Sequence, residues 1–362
     1  MIAYYAHSEG SGHSRYASIF YQLFSGDLKI MSSTPANFTP ETKILKLAKE
    51  DPDGTGIPME LTEPPTYLHY SPVGQHSIQR RSLQLLTALV NAHCNLCIVD
   101  VSVEVAALAR ASSIPYAYVK LPGLRNDNPH LQAFKASMFN LAYYPEEFED
   151  SATPQWVKDK TLYLGYFSRF SMHNNLSGKS VNSIRSVLII RGSGGGQHLL
   201  EALPDIAKRF EGLQIKALGD FHELESPVSG IEFLGFQSQI ENYIEEADLI
   251  IASAGLNLTS EILCSNRLFC CIPETRPFRE QEQTASVLYE HEMAYSLADL
   301  ILLSNDDLTK RLKSFKPEIS IEKLNLFIHW LQENSSKPEK LLRGLKGLKE
   351  QLQKIDGKYQ EV

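Results

Sequence analysis

Apolar residues in this chain gather into short blocks separated by longer amphipathic stretches, and the blocks run in two series. In the first series, residues 2–6, 95–101, 116–120 and 161–166 are short, largely apolar runs that read as strands, the second of them ending in Asp100. Residues 16–24 and 104–111 recur at helical spacing, and 64–81 reads as a Pro-bearing loop that leads into a helix. The second series repeats the scheme, with strands at 187–190, 215–218 and 249–252 and helices at 198–210, up to about 247, and after Gly255. Three more helical periods follow, at 308–315, 321–331 and from Lys337-Pro338 to 354. Strands alternating with helices predict an α/β chain with parallel sheets. The polar Ser/Asn-rich stretch 171–185 divides it into an N-terminal Rossmann-like domain, 1–170, and a C-terminal one, 186–330. A tail, 331–362, is expected to pack back on the first domain.

Each half opens with a strand that runs into a glycine turn and then a helix. In the second half this turn is Arg191-Gly192-Ser193-Gly194-Gly195-Gly196-Gln197, whose glycines leave backbone N–H groups open to a phosphate. Farther on, Leu249-Ile250-Ile251-Ala252 stops at Ser253-Ala254-Gly255 and becomes an amphipathic helix. The mouth of that helix offers unpaired N–H groups and a positive dipole end to a diphosphate, and Asn257 and Thr259 add donors. Glu261 follows about a turn and a half later, spaced to hold a vicinal diol such as a ribose. After the next apolar run Pro273 opens a polar loop ending in Glu280-Gln281, an acceptor and an amide suited to sugar hydroxyls. Anion, diol and sugar in that order describe a nucleotide-sugar.

This stretch resembles the nucleotide-sugar signature of GT-B glycosyltransferases. In the plant pattern H-C-G-W-N-S-T-x-E, Gly255, Asn257, Thr259 and Glu261 match, while Ser253 replaces the His that touches phosphate. The closing D-Q-x-x-N-A is answered by Glu280-Gln281-Glu282-Gln283-Thr284-Ala285. Near the start, Glu9-Gly10-Ser11-Gly12-His13-Ser14-Arg15 is similar to the G-x-G-H opening of GT-B transferases, especially a bacterial and archaeal group that begins E-G-x-G-H-x-x-R, while the 247–285 signature is also similar to that of the family that makes the peptidoglycan lipid precursor. The resemblance implies a GT-B fold, two Rossmann-like domains with a cleft between them. It implies His13 as the base that deprotonates an acceptor hydroxyl, a task suited to imidazole, and Asp100 as the carboxylate that steadies it. Gly12, Gly192, Ser193, Gly194, Gly195, Ser253, Ala254 and Gly255 would line the donor. Phe236 would stack on the base, with backbone near Gln237 reading its edge.

Composition narrows the partners. A net charge of −8 provides no general field for nucleic acid or an anionic membrane. No stretch reaches the roughly 18 to 20 apolar residues of a membrane span, and MIAYYAHSEG lacks the basic start of an export signal. A cytoplasmic protein is expected, with peripheral membrane contact left open. Of five cysteines, Cys94 and Cys97 have half of a metal spacing without a second pair, so buried thiols are expected rather than zinc. Asp51-Pro52-Asp53 reads as a turn, not as a D-x-D metal motif. Taken with these bounds, the resemblance implies an inverting, metal-independent transferase that uses no cofactor and takes a UDP-sugar as substrate. Its acceptor is a hydroxyl on a lipid, glycan or small molecule. A nucleotide-sugar hydrolase or epimerase, or a non-catalytic binding subunit, is the alternative.

Overall fold

The structure is a computed structural model that describes residues 1–8, 12–50, 53–170, 181–192, 194–237, 239–313 and 315–360. In the first half, strands β1 (Ile2–Tyr5), β2 (Leu28–Ser32), β3 (Ile44–Lys46), β4 (Leu96–Asp100), β5 (Tyr116–Lys120), β6 (Asn140–Ala142) and β7 (Thr161–Tyr163) form one sheet ordered β3-β2-β1-β4-β5-β6-β7. Strands β8 (Ser186–Ile190), β9 (Gln214–Leu218), β10 (Glu232–Gly235), β11 (Leu249–Ala252) and β12 (Leu268–Cys271) form a second, ordered β10-β9-β8-β11-β12. Neighbouring strands within each sheet are parallel. The helices of the first half are α1 (Gly12–Leu23), α2 (His76–Asn91), α3 (Val103–Ala111), α4 (Asn128–Ala136) and α5 (Gln155–Asp159). Those that follow are α6 (Gln197–Arg209), α7 (Glu241–Glu246), α8 (Leu256–Cys264), α9 (Glu280–Glu290), α10 (Leu297–Leu302), α11 (Asn305–Leu308), α12 (Pro317–Asn334) and α13 (Pro338–Gln360).

Strand order decides where a site can form. β1 lies between β2 and β4, with Tyr5 opposite both Met31 and Val99. Its crossovers therefore leave in opposite directions, and a crevice opens above the carboxyl ends of β1 and β4. His13 follows β1 and Asp100 ends β4, so the topology brings together residues far apart in sequence. In the second sheet β8 and β11 are neighbours in the same way, and Gly192 and Gly255 follow them.

The last two helices return to the first domain. On α12, Phe327 meets Phe20 and Phe139, and Trp330 also packs on Phe139, at centroid distances of 5.9–6.3 Å. Burying each such ring contributes about 1.5–3 kcal/mol. Lys349 of α13 donates to the carbonyls of Lys158 and Asp159 at 3.2 and 2.9 Å. The return thus begins at α12, ahead of residue 331. Gly165, at φ +75°, lets the chain leaving β7 pass this helix, since a Cβ there would lie 2.3 Å from Ser320 Oγ.

Two local expectations change. Residues 308–315 were expected to be a helix, but among the described residues helix is confined to α11, and Phe315 instead sits against Tyr166, ring centroids 6.0 Å apart. Glu280 does not end a loop; it starts α9. Asp53 accepts from the backbone N–H groups of Thr55 and Ser77, as a turn carboxylate does, whereas Asp51 and Pro52 lie outside the described residues. Four of the five cysteines are buried, Cys94 is half-buried, and all are free thiols. Among the described residues no helix is long and apolar enough to cross a membrane.

Candidate active site

A cleft of about 780 Å³ runs between the domains, within the range of small-molecule sites. Its floor lies where α1 meets α8: a Cβ built on Gly12 would come within 3.5 Å of the Asn257 Cβ. On one side stand His13, Asp100, Tyr16 and Tyr143. On the other are Gly192, Gly194, Gly195, Phe236, Gln237, Ser253, Gly255, Asn257, Glu280 and Gln281. The expected residues among these come together, and Tyr16 and Tyr143 join them without having been foreseen. Ser193 lies outside the described residues.

His13 Nδ1 sits 2.9 Å from Asp100 Oδ2, with Asp100 only 1% exposed. The same oxygen accepts from Tyr4 OH at 3.2 Å, while Oδ1 is buried without a partner. A carboxylate facing Nδ1 fixes the proton there and leaves the Nε2 lone pair to act as a base. Burial pulls the His13 pKa down, but the charge and hydrogen bond of Asp100, aided by Glu280, outweigh it and hold the pKa above the usual imidazole value. Directly after Asp100, Val101 adopts φ +57°, rare for a β-branched residue, and its carbonyl accepts from Tyr118 OH. The chain is strained where it turns to present the carboxylate.

Across the cleft, Gly255 is the N-cap of α8. A Cβ there would meet nothing closer than Gln281 Nε2 at 3.9 Å, so packing does not demand the glycine and the free space belongs to the cleft. Phe236 is 78% exposed beside this space. Gln281 Oε1 accepts from Glu274 N at 2.9 Å, which holds its amide nitrogen on the Gly255 side. Glu280 Oε2 accepts from Arg125 of the first domain at 2.8 Å. The loop before it is pinned there too, by Leu124 N donating to Phe278 O at 2.6 Å.

Three expected residues do not face the cleft. Ala254 and Thr259 are fully buried. Glu261, expected to hold a diol, has 0% exposure, and its Oε1 takes both Arg15 at 2.9 Å and Arg169 at 3.0 Å. Burial raises its pKa, and the two arginines oppose that. Glu261 is thus an ionic junction between α8, α1 and the chain leaving the first domain. Gly192, Gly194 and Gly195 of the glycine turn line the cleft, but the first N–H groups of the helix it leads into are taken: Glu274 accepts from His198 N at 3.0 Å and Leu199 N at 2.9 Å.

The expectations gave no role to Arg15, Arg191 and Arg276, which line the cleft; Arg15 and Arg191 stand within the two glycine-turn motifs, whereas no local pattern marks Arg276. They also missed His69, Asp127 and His130, a group with metal-ligand chemistry. Asp127 bonds both rings at 2.6 Å, and His130 Nε2 lies 3.2 Å from Arg125 Nη1. Metal on His130 Nδ1 would turn a proton on Nε2 against that guanidinium, so the group works as a hydrogen-bonded chain, Asp127–His130–Arg125–Glu280. Burial, then Arg125, holds His130 down to about 4.

Two Rossmann-like domains whose crevices face each other across one cleft define the GT-B fold of glycosyltransferases. Solved structures agree along nearly the whole chain. MurG of Acinetobacter baumannii is 13% identical with a TM-score of 0.53, matching 94% of this chain and 92% of its own. The glycotransferase of kitacinnamycin is 14% identical at 0.54, over 98% and 95%. UGT2 of Phytolacca americana, solved with UDP-2-fluoro-glucose and pterostilbene, is 14% identical at 0.54, over 97% and 98%. No family model and no curated protein sequence matches the chain.

Proposed function

We propose that the chain is an inverting glycosyltransferase that moves a sugar from a nucleoside diphosphate, with UDP as the expected carrier, to a hydroxyl acceptor. The observation that carries this reading is the His13–Asp100 pair, set on the cleft floor opposite the Gly255 helix mouth. His13 Nε2 takes the acceptor proton as the acceptor oxygen bonds to the anomeric carbon from the face opposite the leaving group. The bond from that carbon to the diphosphate breaks, and the diphosphate leaves with the electron pair. Asp100 stabilises the imidazolium without taking its proton. Preorganised N–H groups at α8 meet the charge that develops on the diphosphate. Glu280 and Gln281 meet the sugar, and Phe236 carries the base.

With labelled donor and a panel of alcohols, NMR of the product should show the anomeric configuration inverted. A retained configuration would remove His13 from the base role. Phe236→Ala should weaken nucleotide affinity by roughly 1–3 kcal/mol, the usual worth of a base–aromatic stack. The thermal midpoint should stay put, because the ring is already 78% exposed. Isothermal titration beside thermal unfolding checks both halves.

A further inference from the structure

The glycine turn after β8 borders the cleft, yet the helix it leads into already has its anion. Glu274 is 3% exposed and caps α6 through His198 N and Leu199 N, and a Cβ on Gly196 would strike its carboxylate at 2.3 Å. A diphosphate beside Gly192 and Gly194 would therefore meet a helix end that is already neutralised, with a carboxylate close behind. It needs a cation. Three arginines line the cleft. Arg15 is paired with Glu261, and Arg191 is held by both oxygens of Glu223, at 2.6 and 2.9 Å. Arg276 differs: among the described residues it has no carboxylate partner within salt-bridge distance, and its Nη2 donates only to the carbonyls of Gly194 and Gly195, at 2.7 and 3.0 Å. By holding those two carbonyls, it keeps their oxygens from facing an incoming anion.

We propose that Arg276 is the counter-charge for the donor's diphosphate, standing in for the capped amino end of α6. This rests on the reading of the cleft as a nucleotide-sugar site. A guanidinium suits the task because its planar fork bonds phosphate oxygens in pairs and its charge persists at every working pH. Its loop is held in place by successive left-handed residues, Phe278 and Arg279 at φ +61° and +53°, and by the bond from Leu124.

The test is calorimetric titration of wild type, Arg276→Gln and Arg276→Lys with UDP and with uridine, and with dTDP and thymidine alongside. Arg276→Gln should lose roughly 10- to 100-fold in affinity for the diphosphate, the range of a charge-assisted hydrogen bond, and nothing for the nucleoside. Arg276→Lys should recover part of that loss. Undiminished diphosphate binding by Arg276→Gln would overturn the assignment while leaving the transferase reading intact. So would equal losses for nucleoside and diphosphate. A wild type that binds no nucleoside diphosphate would overturn both.

Discussion

His13→Ala should lower turnover by roughly 10²- to 10⁴-fold, the range of a positioned general base, while donor affinity stays unchanged. Apart from Gly12, which carries no side chain, the residues assigned to the donor's diphosphate, base and sugar all come after 190, and His13 contributes only at the proton. Steady-state kinetics beside donor titration separate the two effects. The pH profile gives an independent reading. Because Asp100 holds His13 above the imidazole value near 6.5, kcat/KM should fall as pH drops through an apparent pKa higher than that. Asp100→Asn should shift this limb down and cut turnover. Stability has the opposite sign. A histidine with a raised folded pKa contributes stability that is fully present below its unfolded pKa and is lost as pH rises through the folded one. Activity should therefore rise over the same interval in which the His13–Asp100 contribution to stability declines.

Glu149→Leu should destabilise the fold by about 3–5 kcal/mol, the cost of leaving a buried charge without its partner. Lys120 ends β5 and is 1% exposed, as is Glu149, to which its Nζ donates. Tyr144 OH, Tyr163 OH and Thr153 Oγ1 donate to the same carboxylate at 3.1, 2.9 and 2.9 Å. Burial pushes the Glu149 carboxyl pKa up, but Lys120 and the hydroxyls of Tyr163 and Thr153 hold it below the ordinary value. That contribution is present above the unfolded pKa and is lost as pH falls through the folded one. The flanking Val119 and Leu121 line the cleft, so the pair braces a wall of the site. Pairing Lys120→Met with Glu149→Leu should restore much of the loss, since no charge is then stranded. Urea unfolding of both single variants and the double checks this; a single-variant loss under about 1 kcal/mol would mean the network does not brace β5.

Local features were legible and distant pairings were not. The turn from Ala252 into α8, and the strand–turn–helix that delivers His13, are written in contiguous residues, so apolar spacing and glycine placement reveal them. That Asp100, at a strand's carboxyl end, could reach the cleft of His13 was legible, but its bond to the imidazole came only through the family resemblance; the physical cause of their meeting is the neighbouring of β1 and β4. Glu261 shows the opposite outcome. Its spacing from Gly255 suggested a cleft-facing diol holder, but Arg15 and Arg169, far off in sequence, draw its carboxylate into a buried junction. The glycine turn before α6 was legible as a cleft border, but the closing of the helix end behind it was not, because Glu274 comes more than seventy residues later. Arg276 was invisible for the same reason, since its partners Gly194 and Gly195 lie on another strand's turn. The period at 308–315 failed because Leu308 is buried in the core of the second sheet while Phe315, partly buried, packs on Tyr166 of the first domain, so the two do not share one helical face.

The most direct measurement is thermal unfolding of the wild type with saturating UDP-glucose, UDP-N-acetylglucosamine, UDP and uridine, and with the corresponding ADP, GDP and dTDP compounds. A ligand bound at a hundred times its Kd adds about 2.7 kcal/mol to the folded state. The account predicts a clear rise for at least one nucleoside diphosphate-sugar, larger than for its nucleoside. If no nucleoside diphosphate or sugar derivative raises the midpoint, the cleft is not a donor site and the account is wrong.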